Sequence, residues 1–76
     1  MTLDEGKIGH EYLVQSAVLP LQVEKRMEAL GMTQGTKIKL MRKKGKGTSV
    51  ILLRGTRFAV GCGITSKITV MEASNE

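Results

Sequence analysis

Few residues in this chain have the type and spacing that chemistry requires. The single His10 stands beside Glu11, and the single Cys62 follows far along the chain. Their spacing does not support a metal site, because a first shell around iron or zinc needs a closed set of donors. There is no Cys-x-x-Cys, no paired His and no carboxylate cluster, so no metal ligand set is assigned. The five methionines, Met1, Met27, Met32, Met41 and Met71, carry soft sulfur of the kind that attracts Cu(I). Met27 and Met32 fall at core-facing positions, and Met is an ordinary gap-filler in a core poor in aromatics.

Nucleophiles fare no better. Ser16, Ser49, Ser66 and Cys62 are available, yet no spacing brings His10 to any of them as a base. Gly45-x-Gly47 and Gly61-x-Gly63 do not continue as phosphate-cradling loops and read as turns. The sequence therefore predicts neither an enzyme nor a cofactor site.

Charge is the stronger signal. The net charge is +5, and no acidic residue occurs between Ala29 and Met71, where Lys37, Lys39, Arg42, Lys43, Lys44, Lys46, Arg54, Arg57 and Lys67 all fall. The carboxylates are confined to the two ends and to one predicted helix. Such asymmetry favours an anionic partner. A nucleic-acid-binding barrel using the basic half, residues 37–57, is one candidate. Against it, barrels that bind single strands stack bases on aromatic rings, and only Tyr12 and Phe58 are present.

The elements that must position these residues are written locally. Val23, Met27 and Leu30 recur at i, i+4 and i+7, the stripe of a helix over about 21–30 that docks onto a sheet. Pro20 suits a helix start, Gly31 suits a left-handed stop, and Met32 is expected to fold back past it. Strands are expected over about 7–18, 36–43, 48–54, 57–60 and 68–71, with Ile68 and Val70 facing in and a tight turn at 64–67. The run Val50-Ile51-Leu52-Leu53 lacks polar alternation and reads as a central strand covered on both sides. At 76 residues this is a single domain with a small core. Residues 1–5 and 73–76 are expected to fray. No segment approaches the roughly 18 apolar residues of a membrane span, residues 1–9 lack a signal-peptide core, and the lone Cys62 suits a reducing compartment. A cytoplasmic location is the expectation. Five short strands with one inserted helix close most economically into a small, mainly β barrel of the SH3-like type.

The order Gly6-Lys7-Ile8-Gly9, then Arg26 to Ile38, then Arg54-Gly55-Thr56-Arg57-Phe58-Ala59-Val60-Gly61, then Ile64 to Val70, resembles the FeoA family of small accessory proteins of bacterial ferrous iron uptake. The resemblance runs from about Gly6 to Glu72. It implies an SH3-like barrel that acts with FeoB, a membrane iron transporter carrying a cytoplasmic GTPase domain. A similar domain is also fused to some iron-dependent repressors, so the fold alone does not settle the partner. On this reading the module docks without catalysis through exposed apolar residues, Met41, Leu53 and Met71, flanked by Arg42, Lys43, Lys44, Lys46, Arg54 and Arg57. An exposed sheet edge is also open to pairing with a second copy.

Overall fold

In the computed structural model, residues 1–45 and 47–73 are described. The strands are β1 (Glu11–Ala17), β2 (Lys37–Lys44), β3 (Thr48–Leu53), β4 (Thr56–Gly61) and β5 (Ile68–Glu72). A helix, α1 (Leu21–Ala29), joins β1 to β2, and a single helical turn, α2 (Cys62–Thr65), joins β4 to β5. All five strands form one antiparallel sheet in the order β4-β3-β2-β1-β5. Val60 from one end of that order and Ile68 and Val70 from the other enter the same apolar cluster, so the sheet curls around one core. Tyr12, Val14, Ile38, Leu40, Ile51 and Leu53 join it from the strands between, and Leu3 and Met32 from outside the sheet.

The two-residue period of strands explains which side chains enter. On β3, Ser49, Ile51 and Leu53 are buried while Thr48, Val50 and Leu52 are half-buried. The expectation that this strand is covered on both sides is therefore corrected: four consecutive apolar residues carry no phase of their own, and pairing with Ile38 and Leu40 on β2 supplied it. The middle strand is β2.

The N-terminus corrects a second expectation. Residues 3–5 form a 3-10 turn, and Leu3 is fully buried in the core. The turn is fixed by the Thr2 N–H donating to Glu5 Oε1 at 2.8 Å. It is tied to the sheet by the Val70 N–H donating to the Met1 carbonyl at 2.8 Å and by a bridge between Thr2 and Thr69. One apolar side chain in a polar run is enough to dock a terminus when it fills the core. Ala73, placed among the fraying residues at the other end, is buried and its N–H donates to the Glu11 carbonyl at 3.0 Å; residues 74–76 lie outside the described residues.

Helix α1 forms where the periodicity predicts, but it buries no residue fully. Met27 packs against the core, whereas Leu30 is 38% exposed, so the expected three-residue stripe docks chiefly through one side chain. Its C-terminus is strongly specified. Gly31 has φ +98°, its N–H donates to the Glu28 carbonyl at 2.9 Å, and the Met32 N–H donates to the Met27 carbonyl at 2.9 Å. This pair of bonds is a Schellman stop. It turns Met32 back into the core, where it is 7% exposed. A helix of nine residues is marginal alone in water, so this stop and the Met27 and Met32 contacts must hold it.

Candidate interaction surface

The inner face of the sheet is consumed by the core, which leaves the outer face to meet partners. Residues directly opposite on paired strands share a face, and the register therefore builds rows across the sheet. One row runs Glu11, Lys39, Leu52, Arg57 across β1 to β4; a second runs Arg42, Val50, Ala59 across β2 to β4. A third joins Met71, Leu13 and Lys37 across β5, β1 and β2. With strands about 4.8 Å apart, Lys39 and Arg57 stand roughly 10 Å from one another on either side of Leu52. The surface is thus a shallow strip of half-buried Leu13, Val50 and Leu52 with exposed Ala59 and Met71, flanked by Lys37, Lys39, Arg42 and Arg57.

A β-bulge sets this arrangement. Leu40 pairs with Ile51 and Arg42 with Val50, so Met41 is the extra residue of β2. Without it Arg42 would follow Ile38 and Leu40 onto the inner face. The inserted residue reverses the alternation, moving Arg42 outward and bringing Lys43 opposite the buried Ser49. Lys43 then reaches over the open end of the core, where its Nζ donates to the Asp4 carbonyl at 3.1 Å.

The residues singled out from the sequence separate accordingly. Arg42 and Arg57 share the outer face with Met71, which is 48% exposed. Met41 is half-buried at the bulge, Lys44 is exposed at the end of β2, and Lys46 lies outside the described residues. Arg54 occupies the β3–β4 turn with φ +51°, beside Gly55 at +82°. Leu53 is corrected: at 1% exposure it belongs to the core and is unavailable to a partner. Lys37 and Lys39, which the alternation around Ile38 and Leu40 already turns outward within the basic half, were not among the partner-contact residues named from the sequence, and Leu13, Val50 and Leu52 were missed as surface residues.

The remaining chemistry-bearing residues are placed apart. The His10 ring stacks on Tyr12, with centroids 6.5 Å apart, while the Cys62 thiol is exposed and lies against Gly47. Among the described residues, no three His, Cys, Asp or Glu side chains converge. Tyr12 is buried, its hydroxyl accepting the Lys7 N–H at 2.7 Å, and Phe58 points inward, half-buried. Neither of these rings lies on the basic outer face, which therefore offers no stacking platform for bases. Among the described residues, no helix is long and apolar enough to cross a membrane.

Behind β4 a cleft of about 260 Å³ separates this strand from α1. Met27, Leu30, Met32, Phe58, Val60 and Ile64 line it.

Comparison with known proteins agrees with this architecture. The chain resembles the crystal structure of an iron uptake regulatory protein, FeoA, with a TM-score of 0.81 at 25% identity, covering 95% of this chain and 94% of that one. The solution structure of the FeoA protein from Chlorobium tepidum gives a TM-score of 0.91 at 26% identity, covering all of this chain and 73% of that one. The manganese regulator SloR shares the fold over 34% of its own length, with a TM-score of 0.81 at 22% identity. No curated protein sequence matches the chain. The mainly β, SH3-like architecture expected from the sequence is the one observed. The FeoA domain model matches residues 1–72, and the chain accordingly belongs to the FeoA family.

Proposed function

We propose that the protein is a non-catalytic, cytoplasmic accessory module of ferrous iron uptake that docks on the cytoplasmic part of an FeoB-like membrane transporter. Family membership supports the iron-transport role. The observation that carries docking is the outer sheet face, where Lys37, Lys39, Arg42 and Arg57 surround an aliphatic strip. Such a surface suits an acidic partner surface that also presents apolar groups. Charge steers the encounter and the strip is desolvated on contact. The strip is short, so the contact is transient and buries less than about 1,200 Å² in total.

Co-purification from solubilised membranes tests this. Tagged protein should recover the transporter, and Arg42→Glu, Lys43→Glu, Lys44→Glu and Lys46→Glu combined should reduce the recovery. Undiminished recovery would remove the β2–β3 hairpin from the interface. No recovery by the unaltered protein would remove the transporter.

A further inference from the structure

The two ends of the sheet are finished differently. At β5 the outer edge is occupied, because the Val70 N–H donates to the Met1 carbonyl and Thr2 bridges Thr69. At β4, among the described residues, no segment pairs with the edge away from β3. The turn Arg54-Gly55, with both φ values positive, closes a two-residue hairpin on the pair Leu53 and Thr56. In such a hairpin the closing pair is hydrogen-bonded and pairs alternate from there. Thr56, Phe58 and Val60 therefore bond to β3, while Arg57 and Ala59 aim their N–H and C=O groups outward and Gly61 only its N–H, its C=O opening the helical turn α2.

Beside this open edge lies the cleft between β4 and α1, whose lining side chains are apolar but for Arg26 on the α1 wall. A strand added to β4 would place every second side chain in that cleft, between Phe58 and Val60 on one side and Leu30, Met27 and Ile64 on the other. The intervening side chains would lie on the outer face, next to Arg57 and over the small Ala59. From this combination we infer that β4 accepts an extended segment of a partner protein, apolar at alternate positions and acidic between them, by strand addition. Backbone bonds supply affinity in this mode and the alternate side chains supply selectivity.

A second copy of the chain is the poorer occupant. Val60 is already 5% exposed within its own core and Phe58 packs against it, so another β4 has no free apolar side chains to offer the cleft. Pairing would also bring together two chains of net charge +5. The inference goes beyond the iron-transport reading and does not rest on it.

The probe is a blocked, seven-residue synthetic peptide of alternating valine and glutamate, titrated into isotope-labelled protein and followed by amide shifts and hydrogen exchange. The amides of Arg57, Ala59 and Gly61 should shift and exchange about tenfold more slowly at saturation, with accompanying shifts at Leu30 and Ile64. Ala59→Pro removes an outward N–H without breaking the ladder to β3, and should abolish binding. Leu30→Lys alters an already exposed wall of the cleft and should weaken it at least about tenfold, which decides the matter even if the proline variant fails to fold. Shifts confined to Lys37, Lys39 and Arg42, or equal binding by Leu30→Lys, would overturn the inference. So would β4 amides already protected in a peptide-free dimer, which would assign the edge to a second copy. None of these results would bear on transporter recovery.

Discussion

Arg54 lays its side chain over Gly31: a Cβ built on Gly31 would stand 2.8 Å from Arg54 Nε and 3.0 Å from its Cδ. The residue that stops α1 is thus covered by the residue that turns β3 into β4, and two local signals far apart in sequence become one contact. Gly31 is required by its φ of +98°, whereas the exposed Arg54 side chain that covers it can swing aside. Gly31→Ala should cost about 1–2 kcal/mol from the left-handed backbone alone. Urea unfolding reads this as a lowered midpoint at unchanged slope.

Arg54 itself holds φ +51°, a conformation that a long side chain adopts at a cost. Asparagine pays less in that position and, with Gly55, completes the preferred two-residue hairpin turn. Arg54→Asn should therefore stabilise the fold by about 0.5 kcal/mol, seen as a higher thermal midpoint. A lower midpoint would show that the cover over Gly31 outweighs the backbone strain.

Leu3 is the second test of the fold. Because its side chain is fully buried, Leu3→Ala should cost about 2–4 kcal/mol, as expected of a core leucine and far above the near-zero effect at a frayed terminus. Equilibrium unfolding distinguishes the two. A loss of that size would also raise amide exchange at Val70, whose N–H is held by the same segment.

The same segment gives a pH dependence. The Glu5 carboxyl is held below its ordinary pKa, first by accepting the Thr2 backbone N–H and then by the Thr2 hydroxyl. A depressed folded-state value means that its contribution is complete above the unfolded pKa, about 4.3, and is lost as the pH falls through the folded value. Glu5→Gln should accordingly flatten the decline of the urea midpoint below about pH 4.3 and leave the shape of the profile near neutrality unchanged. Identical acid limbs would remove Glu5 from the capping of the N-terminal turn.

The parts of this fold legible in the sequence were those fixed by neighbours in the chain. The period of Val23 and Met27, the glycine at 31 and the alternation around Ile38 each specify an element without help, and all appear where expected. Residues whose orientation depends on pairing were not legible. Leu53 sits in a run of four apolar residues with no phase, and only its register against Ile38 sends it inward. The outward turn of Arg42 and the inward turn of Lys43 follow from one inserted residue, Met41, which no local pattern marks as a bulge. Leu3 looked like part of a polar tail because the cavity it fills is built from strands far along the chain. The basic character of the candidate surface was visible in composition, but its aliphatic floor of Leu13, Val50 and Leu52 required three-dimensional register.

The central claim is that this basic, aliphatic outer face is what a partner reads, and a calorimetric titration against the transporter's cytoplasmic region tests it most directly. The variant carries Lys37→Glu, Lys39→Glu, Arg42→Glu and Arg57→Glu and is first shown to unfold cooperatively. The account predicts that it binds at least about tenfold more weakly than the unaltered protein, whose own affinity falls as salt is raised. Equal affinity of the two folded proteins at low salt would contradict it.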